Sequence, residues 1–558
     1  MASDSDFRPI ILVRGFDPGG DANSTTYYGF NDGTVYPNSM GDDFIYEGML
    51  LKFLKTAFLT PRQNMAQART PPPAPQPPTF YQDATNAVRF LPRRNNGVYP
   101  PPDPADLAQL GGLLGHDPTA TEADWLTGPM MLEPAVAARF QNNPSTVWVY
   151  RYYDFRFRDI PFYAAQLERL IAMVEAVTGA TGVNLICHSM GGLVARYLLQ
   201  RIYKTQDVSH QHVNKWVTLG TPHRGIEFQV LKDLSLGELE VFNRNRLEDA
   251  TEFFGQPLED ISPCFDPRRL LCVIGTSWRT YAVGASVALN QLASWLQGQD
   301  QNCSDGLVKQ ECAALKDAHR AYVHKCHGGS DSLITSREAF ELSTRFFFGD
   351  ICVQVRAVSA AINPDREQGH GDLASLFGSL AAALRGGRRQ YLLGFSVKTR
   401  RLDFYLNRQD PDSENCFGPF DKTDFVPDDF RNDQFDPARS GVLYEGFLNS
   451  ALIPAQAADL VFRFDTYVGE RDPHLLGHSD TAIVRAQSYF QAFLPDPRNP
   501  LRNGAPFRLA FYPKSLAAPP LDCPWDSVAK EFNLDLGYGA LGPDFRIHLR
   551  IALTPANA

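Results

Sequence analysis

A short apolar strand that runs directly into a helix, with a serine at the corner, constrains this chain more than any other feature. The strand covers Val183 to Cys187, and the helix begins within Ser189-Met-Gly-Gly192. A serine at so sharp a corner has a strained backbone, so the residues two before and two after it must be small. Cys187 and Gly191 fill these positions, and cysteine departs from the usual glycine but still fits. The segment predicts a serine nucleophile at the end of a buried strand.

The first 350 residues alternate short apolar runs with helical patterns, which is typical of a mostly parallel sheet with crossover helices. One helical apolar stripe ends at Gly179, and after the serine Val194, Leu198 and Ile202 recur every four residues. Residues 1–350 are therefore predicted to form one α/β domain. Its predicted strands are Pro9 to Arg14, Thr146 to Tyr152, Val183 to Cys187, Val213 to Leu219 and Leu270 to Gly275.

A long insertion, from about residue 20 to 145, separates the first two predicted strands. It contains the proline-rich stretches 71–78 and 100–104, and such proline density forms neither a helix nor a central strand. The insertion is predicted to be a surface excursion that returns to the sheet. A second long connection, at about 225–269, is rich in apolar residues.

Beyond about residue 350 the hydrophobic pattern changes to a period of two. Phe545, Ile547 and Leu549 alternate with polar residues, and Phe462 and Phe464 keep the same period. Half-buried antiparallel strands have this pattern. About seven such runs occur, so residues 351–558 are predicted to form an all-β, β-sandwich-like domain.

Composition and charge narrow the functional classes. The 558 residues are 44% hydrophobic and 21% charged, values typical of a folded protein, and the length favours two domains. The formal charge of −10 argues against nucleic acid as a partner. The sequence has no run of about 18 apolar residues, so no transmembrane helix is predicted. The polar stretch from Met1 to Arg8 lacks the pattern of a signal peptide. A cytoplasmic protein is expected. A secreted form that has lost its leader stays open, and so does peripheral contact with a membrane.

Four stretches in a fixed order resemble α/β-hydrolase lipases. His188-Ser-Met-Gly-Gly-Leu-Val-Ala-Arg-Tyr197 resembles their nucleophile segment, and Ile10-Ile-Leu-Val-Arg-Gly-Phe16 resembles the strand that leads to the oxyanion hole. Val217-Thr-Leu-Gly-Thr-Pro-His-Arg-Gly225 resembles the strand after the nucleophile helix, and Ser304-Asp-Gly-Leu-Val308 resembles the segment that carries the acid. The groups concerned are GPI inositol-deacylase-like hydrolases, lecithin:cholesterol acyltransferase-like hydrolases and bacterial true lipases. The resemblance covers roughly residues 9 to 350 and implies an α/β-hydrolase fold. In similar lipases the connection that corresponds to 225–269 forms a lid over the site, and an ordinary packed helical excursion is the open alternative.

The resemblance assigns the nucleophile and the acid. In this fold the chain order is serine, acid, histidine, so Ser189 is the expected nucleophile and Asp305 the expected acid. The plain alternative for Asp305 is an exposed turn aspartate, because Ser-Asp-Gly is a common turn sequence.

Two histidines compete for the role of base. His327 is preferred over His324 because two glycines follow it, and glycines suit a loop at the end of a strand. His324 is interpreted as a strand or surface residue. His188 and His223 are interpreted as packing or helix-end histidines.

Negative charge that develops on the substrate oxygen must meet backbone N–H donors. By resemblance these donors belong to Met190, after the nucleophile, and to Phe16, after the first strand. Arg14 replaces the histidine that usually precedes Gly15, which puts the shape of that loop in question.

The combined features predict a serine hydrolase that cleaves carboxylic esters, as a lipase, carboxylesterase or phospholipase, through an acyl-enzyme at Ser189. Acyl transfer to an alcohol by the same residues, and a non-catalytic hydrolase-like interaction protein, stay open as alternatives. The expected partner is an ester or lipid substrate. The nine scattered cysteines form no C-x-x-C pair, so no metal or cofactor is predicted. Calcium at Asp331 stays open beside the interpretation of that residue as part of a capped turn.

Overall fold

The computed structural model describes residues 7–15, 46–58, 79–91, 99–151, 159–225, 252–255, 259–278, 303–328, 331–363, 390–399, 402–421, 424–425, 439–449, 460–474, 477–493 and 508–555. Its first part is built on a seven-stranded sheet. The strands of this sheet are β1 (Ile10–Val13), β2 (Gln82–Asp83), β3 (Thr146–Tyr150), β4 (Val183–His188), β5 (Val213–Leu219), β6 (Leu270–Gly275) and β7 (His319–Val323).

All neighbouring strands of this sheet are parallel, in the order β7-β6-β5-β4-β1-β3-β2. The predicted α/β architecture is confirmed, and the five predicted strands are present to within two residues. The strands β2 and β7 were not predicted. The first has only two residues, and β7 begins with His319 and Arg320, so neither shows the apolar run that identified the central strands.

The helices α1 to α8 pack beside the sheet and its connections. The long crossover helix starts with Asp159, whose carboxylate accepts the N–H of Phe162 at 2.9 Å, and ends at Gly179 with φ of 65°. This left-handed C-cap is the ending that the sequence predicted. The helices are α1 (Glu47–Lys55), α2 (Pro104–Leu114), α3 (Ala120–Ala123), α4 (Pro134–Ala137), α5 (Ile160–Thr178), α6 (Met190–Tyr197), α7 (Gln206–His212) and α8 (Arg337–Phe348).

The insertion contributes to the hydrophobic core, and the prediction of a simple surface excursion was wrong for this part. It supplies α1, α2 and the edge strand β2, and Phe53 and Tyr81 within it are buried. Pro104 opens α2, where a proline costs no hydrogen bond; the stretch 71–78 lies outside the described residues. No helix in the described part of the chain is long and apolar enough to cross a membrane.

The C-terminal region consists of antiparallel strands in two six-stranded sheets, as the period of two predicted. Buried side chains of both sheets form one hydrophobic cluster, which is the arrangement of a β-sandwich. The described residues of this region contain β8 (Ile351–Ile362), β9 (Gln390–Thr399), β10 (Phe417–Asp421), β11 (Asp424–Phe425), β12 (Val442–Leu448), β13 (Leu460–His474), β14 (Gly477–Phe493), β15 (Arg508–Tyr512), β16 (Leu521–Asp522), β17 (Trp525–Asp526), β18 (Glu531–Leu536) and β19 (Phe545–Pro555).

One sheet of this region has the order β11-β8-β19-β18-β17, with β12 also paired to β8, and the other has the order β10-β9-β13-β14-β15-β16. The prediction of about seven strands was too low. The additional strands are β10, β11, β16, β17 and β18, and none exceeds six residues. Runs this short show too few alternations to stand out from turns.

The two regions meet at α8 and β12. The ring of Phe447 lies 5.0 Å from the ring of Phe346 and 4.8 Å from that of His319. Beside it, the buried carboxylate of Glu445 lies 2.9 Å from His319 and 3.0 Å from Arg439. Burial alone would raise the pKa of Glu445, but these two partners hold it below its usual range. Apolar packing and the contact of Glu445 with His319 therefore join the regions.

A second junction is formed by residues 402–416, called here the bracing segment. Its backbone N–H of Arg408 donates to the carbonyl of Tyr322 in β7 at 2.8 Å, and the side-chain oxygen of Asn407 accepts the N–H of Tyr322 at 3.0 Å. The carboxylate of Glu414 accepts hydrogen bonds from the indole of Trp278 and from the backbone N–H of Cys303, both at 2.9 Å. The bracing segment thus covers the open edge of the parallel sheet.

These contacts predict unequal effects for two carboxylates of the bracing segment. Glu414→Ala leaves two hydrogen-bond donors without their acceptor, so we expect a loss of about 1–3 kcal/mol in the free energy of unfolding. The matched control is Asp403→Ala, because Asp403 pairs with Arg337 at 3.5 Å and both side chains are exposed; we expect a loss below about 0.5 kcal/mol. Thermal and urea unfolding of both variants measure the difference. Equal effects would show that the bracing segment does not stabilise the junction.

Candidate active site

The corner serine has the strained backbone that the sequence predicted. Ser189 stands between β4 and α6 with φ of 52° and ψ of −125°. Its N–H donates to the carbonyl of Leu219 at 3.0 Å, and the hydroxyl of Thr221 donates to its carbonyl at 3.0 Å. These bonds to the neighbouring strand and its loop hold the corner in place.

Small residues around the serine are required by close backbone approach. A Cβ on Gly191 would collide with the carbonyl oxygen of Arg14 and lie 2.8 Å from that of Val13. The other small position, Cys187, is fully buried, and burial raises the pKa of its thiol. Cysteine in place of glycine is therefore accommodated as a neutral packing residue.

Three side chains form a chain of hydrogen bonds at the carboxyl end of the parallel sheet. The hydroxyl oxygen of Ser189 lies 2.8 Å from Nε2 of His327, and Nδ1 of His327 lies 2.9 Å from Oδ2 of Asp305. All three are buried, with Ser189 9% exposed at the surface of the site. The structure therefore brings together the three residues that sequence analysis selected as nucleophile, base and acid.

Asp305 is fixed by hydrogen bonds in addition to the one to His327. Its Oδ1 accepts the backbone N–H groups of Leu307 at 3.0 Å and Val308 at 2.7 Å. Its carbonyl accepts the backbone N–H of His327 at 2.9 Å. Because one carboxylate oxygen is held by the turn, the other is directed at the imidazole. Asp305 is 1% exposed, so it is not the exposed turn residue of the alternative interpretation.

The two competing histidines have different surroundings. His324 follows β7 and places Nδ1 3.3 Å from the hydroxyl of Thr276 and 3.2 Å from that of Ser413. Burial, and then the charge of Arg408, lower its pKa. It contacts the bracing segment, whereas His327 contacts Ser189.

The expected oxyanion donors are only partly described. Met190 is the first residue of α6, next to Ser189, where helix N–H groups have no partner within the helix. Phe16 lies outside the described residues, as does most of the predicted lid, 226–251. Gly15 is described, and a Cβ there would stand 2.9 Å from Cβ of Ser189. The chain that follows the first strand thus lies directly against Ser189.

Other residues that sequence analysis discussed have structural partners. Asp331, weighed as a calcium ligand, pairs with Lys325 at 2.5 Å. His223 is fully buried, and burial and the charge of Arg196 lower its pKa, which fits the interpretation as a packing histidine. Sequence analysis missed Tyr46, a residue of the insertion whose hydroxyl forms a hydrogen bond with His188, next to Ser189. No motif in the sequence marks Tyr46.

Comparison with known proteins finds relatives of part of the chain. The family model of the PGAP1-like alpha/beta domain matches residues 162–246. Triacylglycerol lipases of Pseudarthrobacter phenanthrenivorans and Burkholderia plantarii are each 37% identical to this chain over 118 residues. The match covers 21% of this chain and 33% and 29% of the two lipases, respectively. The first region has the α/β-hydrolase fold and is similar to lipases over part of its length.

The sequence resemblance is thereby confirmed, and the segment that matches the PGAP1-like alpha/beta domain includes Ser189. This chain spans only about a third of the length of the lipases it matches. Among solved structures, the mature lipase BlEst2 of Bacillus licheniformis is 16% identical with a TM-score of 0.28, covering 38% of this chain and 83% of that one. Phospholipase PlaB of Legionella pneumophila is 11% identical with a TM-score of 0.28, covering 62% and 84%.

Proposed function

We propose that this protein is a serine hydrolase that cleaves carboxylic esters of acyl chains through an acyl-enzyme at Ser189. The observation that carries the proposal is the buried chain from Ser189 to His327 at 2.8 Å and from His327 to Asp305 at 2.9 Å. A hydroxyl becomes nucleophilic when a histidine accepts its proton, and a buried carboxylate orients and stabilises the resulting imidazolium. This arrangement supplies both partners.

The reaction would proceed in two half-reactions. The hydroxyl oxygen of Ser189 attacks the ester carbonyl while Nε2 of His327 takes its proton, and the imidazolium then protonates the departing alcohol. Water next attacks the acyl-enzyme and gives a proton to His327, which passes it to the oxygen of Ser189 as the carboxylic acid departs. The N–H groups of Met190 and Phe16 are the proposed donors to the oxygen that becomes negative in each step.

The substrate class is proposed from the matched relatives. Two triacylglycerol lipases are 37% identical to this chain over 118 residues, so an ester of a glycerol-type lipid is the first substrate to test. The same residues also support transfer of the acyl group to an alcohol in place of water. Product analysis with and without an added alcohol separates hydrolysis from transfer.

The test of the proposed function is active-site labelling with a fluorophosphonate, followed by mass-spectrometric mapping of the modified residue. We expect one modified serine, Ser189, because phosphonylation requires a hydroxyl activated by a neighbouring base. Heat-denatured protein is the control, and it should remain unlabelled. Absence of labelling in the folded protein would favour the non-catalytic alternative, and labelling at another serine would refute the site.

A further inference from the structure

A second chain of buried hydrogen bonds runs behind the nucleophile. The backbone N–H of Gly15 lies 2.6 Å from the hydroxyl oxygen of Tyr46, and that hydroxyl lies 2.7 Å from Nδ1 of His188. On the other side of the same ring, Nε2 of His188 lies 2.8 Å from the backbone carbonyl of His327. Tyr46 is 1% and His188 5% exposed. The chain connects the end of β1 to the loop that holds His327.

The chemistry of its two ends fixes the direction of every bond. A backbone carbonyl only accepts, so Nε2 of His188 must carry a hydrogen and donate to His327. In a neutral ring Nδ1 then has the lone pair and accepts from the hydroxyl of Tyr46. A backbone N–H only donates, so Gly15 donates to the oxygen of Tyr46. All three hydrogen bonds therefore point the same way, from Gly15 through Tyr46 and His188 to the carbonyl of His327.

The neutral form of His188 is also the form that its surroundings favour. Burial lowers its pKa to about 3, and the neighbouring charge of His327 contributes in the same direction. The ring centroids of the two histidines are 5.1 Å apart. A second imidazolium at this distance would oppose protonation of His327, whereas a neutral ring does not.

We propose that His188 is a positioning residue for ester cleavage, locked by Tyr46 as the neutral Nε2–H tautomer that holds the backbone of His327 and links it to Gly15. This inference rests on the proposed function, because it concerns the geometry of the same reaction. His188 touches none of the reacting atoms. It acts through the backbone of His327, whose imidazole must meet both Ser189 and Asp305.

The link to Gly15 extends the effect to the other side of the site. Gly15 approaches Ser189 so closely that a Cβ would lie 2.9 Å from the serine Cβ and 3.1 Å from Nδ1 of His188. Phe16, the proposed oxyanion donor, follows Gly15 directly. The imidazole of His188 thus fixes the position of the loop that carries His327 relative to Gly15, which precedes the proposed oxyanion donor.

The kinetic test removes one hydroxyl from this chain. We expect Tyr46→Phe to lower kcat by about tenfold, the effect of losing one net hydrogen bond in the transition state, with KM changed by less than about twofold. The matched control is Tyr81→Phe, because Tyr81 is equally buried and its hydroxyl donates to the carbonyl of Arg8 at 2.8 Å, away from the site. The control should lose a similar amount of thermal stability while its kcat stays within about twofold. Equal kcat values for Tyr46→Phe and Tyr81→Phe would contradict the positioning role and leave Tyr46 and His188 with a packing role alone.

A spectroscopic test does not depend on activity. The protein contains 12 histidines, and nitrogen-15 labelling of histidine with the spectrum of His188→Gln as reference identifies the signals of His188. We expect a proton on Nε2 and a bare Nδ1 at neutral pH, and loss of this single tautomer in Tyr46→Phe. A proton on Nδ1 would overturn the inference. If the protein cleaves no ester but shows the Nε2–H tautomer, the proposed function fails and the hydrogen-bond chain stands.

Discussion

Ser189→Ala is expected to lower kcat for ester hydrolysis by about a thousandfold or more while the protein stays folded. The substitution removes the hydroxyl oxygen that lies 2.8 Å from Nε2 of His327. It keeps a Cβ at a backbone position where φ is 52°, so the strain of the corner is the same before and after the change. The loss is therefore chemical, and hydrolysis of p-nitrophenyl esters measures it.

Ser343→Ala is the matched control for this experiment. Ser343 is also buried and makes one described hydroxyl bond, to the carbonyl of Ala339 at 2.7 Å within α8. We expect it to retain kcat within about twofold, since one neutral hydrogen bond contributes little to activity at a distance. A folded Ser189→Ala protein that keeps more than about a tenth of wild-type turnover would refute the nucleophile assignment.

His327→Ala is expected to lower kcat for ester hydrolysis as much as Ser189→Ala does, whereas His324→Ala is expected to have a much smaller effect. Only His327 lies between Ser189 and Asp305, whereas His324 contacts Thr276 and Ser413. We expect a loss of about a thousandfold in kcat for the first variant and less than about tenfold for the second. The second figure allows for a small shift of the bracing segment.

The double variant Ser189→Ala/His327→Ala tests whether the two residues act together. Residues that function as a unit show strongly non-additive effects, so the double variant should cost little more than either single one. Additive losses would indicate that the two side chains act independently. An inactive His324→Ala protein with normal folding would instead transfer the role of base to His324.

The grouping of Ser189, Asp305 and His327 could be predicted from one local pattern together with the resemblance to lipases. The corner at Ser189 requires a strand, small neighbours and a helix, and all three are visible in the sequence. The resemblance supplied Asp305, and His327 could be preferred over His324 because glycines follow it. The burial of Asp305, which is 1% exposed, could not be predicted, since Ser-Asp-Gly is also a common turn sequence at the surface.

The parts of the fold that escaped prediction depend on contacts distant in sequence. Tyr46 reaches His188 across 142 residues, and Glu414 reaches Cys303 across 111. Neither is part of a periodic pattern, because a single side chain that fills one place leaves no repeat in the sequence. The edge strand β7 escaped for a different reason, since it begins with His319 and Arg320 and shows no apolar run.

The bracing segment limits how this protein can recombine with other hydrolases. Each region has a hydrophobic core of its own, and residue 350 looks like a natural crossover point. A crossover there would pair Tyr322 and Trp278 of one parent with a foreign segment from the other. A chimera that exchanges the C-terminal region therefore needs Asn407, Arg408 and Glu414, or their equivalents, from the parent that supplies the hydrolase. The hydrolase domain and the bracing segment must therefore come from the same parent, although each region has its own hydrophobic core.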